Sequence, residues 1–366
     1  MIGEVIGNHR VTARIADGVT GTVYRAEHTV IGRAVAIKFL RAEYSTDPRL
    51  VQRFFSQLRA ISALEHPNIV ELFDFGYHRD AAYLVMEFME YETLDMRIRR
   101  DGRMRMSFAL QLVRQVNDAL TAVHGAGLMH ENLAADNIAI LPDPAMPGGE
   151  RAKILDFGLA TLLTDPATGA RQVRNEAELP YYSAPEQLAG PEDVDHRADL
   201  YALGVIWYQM ICGRKPFVSR DVMELMDQLL SVEPVPPRAL IPAISREVEE
   251  VVLRLLAKQP AARVQSAVAL ADALDELQGD FMEDISSVAA RPSLAKIRFA
   301  TYRPELDEPM DAATRMPAVT GQVHELTSTG SPAPAERAPV APKSSLVWWL
   351  AALLAVVAGL SAVAAL

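Results

Sequence analysis

The chain has 366 residues, more than one compact core usually holds, so two units or one large unit with appendages are expected. Apolar residues make up 50% and charged residues 23%, which excludes a wholly disordered or collagen-like chain. A net charge of −11 weighs against nucleic-acid partners, the single Cys212 excludes an internal disulfide, and eight histidines without H-E-x-x-H spacing argue against a zinc hydrolase.

Met1 to Arg10 is of mixed polarity and holds no secretory signal. Residues from Arg10 to Phe39 alternate and carry Val, Ile and Thr, which predicts several antiparallel strands. Thr46-Asp47-Pro48 then reads as a helix start, with Leu50, Phe54, Leu58 and Ile61 on one face and Pro67 beyond its end. A second strand region lies around Tyr83 to Met86. Helical spacing follows: Ala109, Val113, Val116, Leu120 and Val123 form one stripe, and Leu200 to Cys212 is apolar nearly all round, as in a helix at the centre of a core. The pattern is α+β, a small β-rich lobe before a larger helical lobe.

The C-terminal part differs. Residues 279–345 hold eight prolines and few large apolar side chains, which predicts an extended, disordered linker. From Ser344 onward no charge occurs, and the 21 residues 346–366 are almost wholly apolar. As a helix they would span about 30 Å, the hydrocarbon thickness of a bilayer. Trp348 and Trp349 stand where aromatic rings favour the headgroup layer, and Arg337 and Lys343 precede them, so the bulk of the chain is expected on the cytoplasmic side. A terminal position after a polar linker favours such an anchor over a buried core helix. Ala355 and Gly359, four apart, would suit a small-residue contact in a homodimer.

Several segments between Val11 and Leu277, in this order, resemble the protein kinase catalytic domain, specifically the bacterial membrane-bound serine/threonine kinases. Ile15-Ala-Asp-Gly-Val-Thr-Gly-Thr-Val23 is a version of the glycine-rich loop over nucleotide phosphates, with Ala16 in place of the first glycine and Gly18, Gly21 and Val23 kept. Glycines there are expected to let backbone N–H groups approach phosphate oxygens. Val35-Ala-Ile-Lys38 matches the strand lysine, with Ala36 on the same face toward adenine. His66-Pro-Asn-Ile-Val70 fits the exit of the small lobe's large helix. Nine residues before it, Gln57 stands where the family has the glutamate that pairs with the lysine. Met86-Glu-Phe-Met89 resembles the hinge, implying adenine contacts at Glu87 and Met89, and Ala139 would lie beneath the base.

The catalytic loop reads His130-Glu-Asn-Leu-Ala-Ala-Asp-Asn137 against the family's H-R-D-L-x-x-x-N. Asn132 replaces the aspartate that accepts the substrate hydroxyl proton, Ala134 replaces the loop lysine, and Glu131 inverts the charge of the arginine that binds a phosphorylated activation loop. Leu179 stands where a threonine usually bridges the lost aspartate and lysine. Lys153-Ile-Leu-Asp-Phe-Gly158 supplies Asp156, which with Asn137 would hold Mg2+ on ATP. Ala184-Pro-Glu186 and Arg263 match the pair that anchors the activation segment, and His130, Phe157, Ile61 and Leu72 would stack as a spine.

The resemblance implies a two-lobed kinase-like domain at 8–278, the linker at 279–345 and a transmembrane helix at 346–366. It also implies a pseudokinase that binds Mg·ATP with weak or absent phosphoryl transfer, acting on an unidentified protein partner. The alternative is an active serine/threonine kinase in which Glu131 or Asp136 positions the hydroxyl.

Overall fold

The structure is a computed structural model that describes residues 1–163, 180–189 and 194–278. Leu179, the linker 279–345 and the apolar stretch 346–366 lie outside the described residues. Among the described residues no helix is long and apolar enough to cross a membrane.

The N-terminal strands are β1 (Val5–Ile6), β2 (His9–Asp17), β3 (Gly21–His28) and β4 (Ala34–Leu40). After the short α1 (Ala42–Ser45) and the long α2 (Pro48–Ser62) come β5 (Leu72–His78) and β6 (Ala81–Glu87). All six strands form one antiparallel sheet in the order β1-β2-β3-β4-β6-β5. The α2 helix starts where the sequence places it because the Asp47 carboxylate accepts from the N–H groups of Arg49 and Leu50, two donors no helical carbonyl can reach, while Pro48 needs none. Its buried face, Leu50, Phe54 and Leu58, packs with Leu40, Tyr44 and Leu159. Each such side chain stabilises by about 1.5–3 kcal/mol relative to exposure.

The larger lobe opens with β7 (Glu92–Thr93), α3 (Leu94–Asp101) and α4 (Met106–Gly125), then β8 (Ile138–Pro142) and β9 (Glu150–Ile154). The strands β7-β8-β9 form a second sheet that periodicity did not reveal. Ile138, Ala139 and Ile140 of β8 are all buried, so that strand shows no alternation, while β9 has Ala152 and Ile154 buried between the half-buried Arg151 and Lys153. The remaining helices are α5 (Ala160–Leu163), α6 (Pro185–Ala189), α7 (Arg197–Cys212), α8 (Val222–Ser231), α9 (Pro237–Leu240), α10 (Arg246–Leu255) and α11 (Ala267–Gln278). The α7 helix runs through the core with Tyr201, Trp207 and Tyr208 buried, and it ends at Gly213, whose φ of 74° suits the left-handed cap.

The His66-Pro-Asn-Ile-Val70 segment ties the lobes. Ile154 N–H donates to the Asn68 carbonyl at 2.8 Å and Val70 N–H to the Ile154 carbonyl at 3.0 Å. The buried Asn68 amide donates to the Gln115 Oε1 and to the Ala152 carbonyl, so α4, β9 and this segment share one satisfied polar network. Asp156, two residues past β9, is thereby fixed opposite β4.

Candidate functional site

The cleft between the sheets collects the residues singled out above. Ala36 pairs with Met86 across β4 and β6, and Ala16 pairs with Val23 across β2 and β3. Below them Ala139, Val70 and Leu155 form a small apolar cluster against Met86 and Met89, a flat floor suited to an aromatic base. The Glu87 carboxylate is taken by the Lys153 ammonium and the Glu71 N–H, and the Glu87 N–H donates to the Glu71 carbonyl at 2.9 Å.

The glycine-rich turn departs from expectation. Gly21 lies within β3 beside β4, where an alanine methyl would meet the Phe39 carbonyl oxygen at 2.0 Å. Gly18 donates its N–H to the Gly21 carbonyl, and the Arg41 guanidinium donates to the Gly18 carbonyl at 2.9 Å. Thr22 Oγ1 donates to the Asp17 carboxylate at 2.6 Å, and the Arg14 guanidinium, then Thr22, hold that carboxyl below its ordinary range. Val19 packs inward on the Leu40 and Tyr44 cluster. Close strand packing by itself requires glycine at Gly21, and Gly18 stands in a tight turn closed onto Gly21.

The second departure concerns Gln57. The Lys38 ammonium, almost fully buried, donates to both oxygens of Asp156 at 2.7 and 2.8 Å. Gln57 reaches past it: a Cβ at Gly158 would stand 3.2 Å from Gln57 Oε1 and 3.3 Å from the Phe54 ring. The Lys38 ammonium is thus held by the Asp156 carboxylate, as expected where the helix position carries a neutral amide, and Gln57 Oε1 lies close to Gly158. Asp156 itself has φ of 60°, a left-handed turn that aims its carboxylate back at β4.

The catalytic loop is firmly held. His130 and Phe157 rings are 4.5 Å apart, and His130 Nε2 donates to the Leu155 carbonyl at 2.8 Å. Burial lowers the His130 pKa, which keeps the ring neutral. The Asp199 carboxylate accepts from the backbone N–H groups of His130 and Glu131 and from His124. Burial opposes that charge, but the hydrogen bond from His124 and the backbone N–H of His130 outweigh it and hold the carboxyl below its ordinary range. Gln187 donates to the Glu131 carbonyl at 2.9 Å, and Asn137 donates to the Asn132 carbonyl at 2.9 Å. Asp199 and Gln187 escaped the sequence reading as site residues. The signal for Asp199 was a single acid at the head of an otherwise apolar helix.

Two acids in the loop are perturbed. Desolvation, then repulsion from Asp199, raises the Glu131 carboxyl, with Arg53 of α2 partly offsetting both. The Asp136 carboxyl is raised by burial and then by the neighbouring Asp95, although the residue's surface is exposed and the shift is accordingly moderated by solvent. Asn132 and Ala134 sit on this loop at the two positions where the resembled enzymes carry charge, and they present a carboxamide and a methyl group.

The family pattern of the protein kinase domain matches residues 9–274. The chain is 35% identical over 353 residues to serine/threonine-protein kinase Pkn1 of Myxococcus xanthus, covering 95% of this chain and 50% of that one. It is 38% identical over 271 residues to pkn2 of the same organism, with coverage of 73% and 32%. Its identity to PknA of Mycobacterium tuberculosis is 35% over 274 residues, with coverage of 73% and 61%. The chain belongs to the protein kinase family. It spans about half the length of the curated relatives it matches. Among solved structures, the kinase domain of Mycobacterium tuberculosis PknI superposes with a TM-score of 0.60 at 26% identity, covering 75% of this chain and 98% of that one. Kinases of this family use ATP and Mg2+. Asp156 and Asn137 offer oxygen donors of the kind a hard cation prefers, although both Asp156 oxygens are engaged by Lys38.

Proposed function

We propose that the protein is a membrane-anchored kinase-like signalling protein whose cleft holds ATP while transferring its γ-phosphate weakly or not at all. The observation that carries this reading is a catalytic loop that is clamped in place, through Asp199, Leu155 and Asn137, yet carries Asn132 and Ala134 at its working positions. A carboxamide cannot accept a proton near neutral pH, and removal of a positioned base costs about 10²- to 10⁴-fold in rate. Lys38 would meet the phosphates, and Ala36, Ala139 and Met89 would enclose the base. Asp156 and Asn137 would hold magnesium, which would supply neutralisation of the phosphate charge. The stretch 346–366 would anchor the chain with its kinase-like domain in the cytoplasm, and the partner would be a protein bound by that domain. The likeness to Pkn1 over 95% of the chain extends beyond the kinase domain and supports reading the parts as one protein.

The test is transfer of labelled γ-phosphate to a generic serine/threonine protein substrate. The wild-type chain is expected to be near background, and the double variant Asn132→Asp with Ala134→Lys to gain at least 100-fold. Transfer at ordinary kinase rates by the wild type, lost on Asp156→Ala, would sink this reading. Fractionation tests the anchor: the full chain is expected in the membrane pellet, and a chain ending at Gly279 in the soluble fraction.

A second reading, an active serine/threonine kinase, is supported by the names of the relatives, with Asp136 of the catalytic loop as the carboxylate that would position the hydroxyl. It requires that Asp136→Asn abolish transfer while leaving nucleotide binding intact.

A further inference from the structure

The charge left in the cleft points to an unusual mode of nucleotide binding. The resembled enzymes place two lysines and three acids around the triphosphate. Here the positions read Lys38 and Ala134 against Gln57, Asn132 and Asp156, so one cation faces one anion. Those two are joined, with the Lys38 ammonium donating to both Asp156 oxygens at 2.7 and 2.8 Å. The Lys38 side chain is 5% exposed and that of Asp156 25%. Among the described residues no group of three or more His, Cys, Asp or Glu is placed to hold a metal ion.

A divalent cation entering this site must take Asp156 from Lys38. In the resembled enzymes a helix glutamate pairs with the lysine. In this chain the residue at that place is Gln57, whose amide lies against Gly158 and offers no charge. Withdrawing the carboxylate from a buried ammonium is costly when no second carboxylate replaces it. The triphosphate itself is a sufficient partner for the ammonium, since charge-assisted hydrogen bonds to phosphate oxygens strengthen in a partly dehydrated cleft. Fewer acids around the phosphates also lower the repulsion that a cation would otherwise be needed to screen.

We propose that the cleft binds nucleoside triphosphate through Lys38 without requiring a divalent cation, and that Gln57 is the residue that sets this preference. The proposal rests on the reading that this cleft holds nucleotide. Lys38 and Asp156 stay within reach of each other in the bound state, so Asp156 serves to orient the lysine and the metal is dispensable.

The experiment measures ATP affinity of the full chain in detergent, by thermal shift and by displacement of a fluorescent nucleotide, in excess Mg2+ and in excess EDTA. The wild type is expected to give dissociation constants within about threefold of each other in the two conditions. Lys38→Met is expected to weaken binding at least tenfold in both. Gln57→Glu gives Lys38 a second carboxylate and releases Asp156, so that variant is expected to bind at least tenfold more tightly with Mg2+ than with EDTA. Asp156→Asn, which keeps the shape of the site, is expected to retain binding in EDTA and so guards against a Lys38→Met chain that fails to fold. A wild type whose affinity falls tenfold or more in EDTA, or a Gln57→Glu variant that stays indifferent to Mg2+, would overturn the proposal while leaving weak phosphoryl transfer standing. Absence of ATP binding in both conditions would overturn both this proposal and the nucleotide-holding reading. Fast phosphoryl transfer would overturn only the reading of weak transfer.

Discussion

Replacing Glu186 by glutamine tests the anchor of the larger lobe. The Arg263 guanidinium is fully buried and donates to both Glu186 oxygens at 2.6 Å. It also donates to the carbonyls of Ala257, Lys258 and Arg197 and lies 4.9 Å from the Tyr201 ring. Glutamine keeps the volume and one acceptor but leaves the cation uncompensated, and breaking one side of a buried pair costs about 3–5 kcal/mol. The three carbonyls still solvate Arg263, which places Glu186→Gln near the lower figure and Glu186→Ala near the upper. For a folded unit of about 270 residues, an unfolding entropy near 2.1 cal/mol/K per residue converts these costs into a fall in Tm of about 5–9 °C. Scanning calorimetry of the full chain reads the shift. A double variant, Glu186→Leu with Arg263→Met, is expected to lose less than the sum of the single changes, because neither charge is then stranded. A loss below 1 °C for Glu186→Gln, or additive losses in the double variant, would refute the reasoning.

Three further outcomes follow from the same geometry. Gly204→Ala places a methyl group 2.6 Å from Leu255 Cβ, between α7 and α10, and is expected to cost about 1–3 kcal/mol by overpacking, read as a lower urea midpoint with unchanged slope. Gly21→Ala meets the Phe39 carbonyl at 2.0 Å and is expected to lower Tm even without nucleotide; a normal Tm with weakened ATP binding alone would show that the glycine serves phosphate after all. Glu131→Gln is expected to raise Tm at pH 7 to 8, because the folded state raises this carboxyl and therefore disfavours its charged form. Below the ordinary glutamate pKa, near 4.3, both states are protonated and the advantage should vanish, so a Tm difference that stays constant across that range counts against it.

Much of the fold was legible along the chain because the relevant forces are local. Asp47 and Pro48 start α2 through donors within three residues, and the spacing of Leu50, Phe54, Leu58 and Ile61 defines its buried face. The strand β8 was not legible, since burial on both faces erases the alternation that marks a strand, and β9 offers only Ala152 and Ile154 as buried positions. The role of Asp199 was not legible, because its three hydrogen bonds with His124, His130 and Glu131 join segments about 70 residues apart.

By itself the sequence determined which groups are present: the strand lysine and the DFG aspartate, an amide where the helix acid belongs, and a catalytic loop without base or lysine. Covalent order suffices for that, because a residue's chemistry travels with its position in a motif. Only the tertiary structure decided which groups meet. Lys38 bonds Asp156 across 118 residues, Gln57 slides past to Gly158, and Gly21 is required by a carbonyl on the next strand. Such choices depend on separations of about 3 Å between distant segments, and a hydrogen bond is made or lost within that distance.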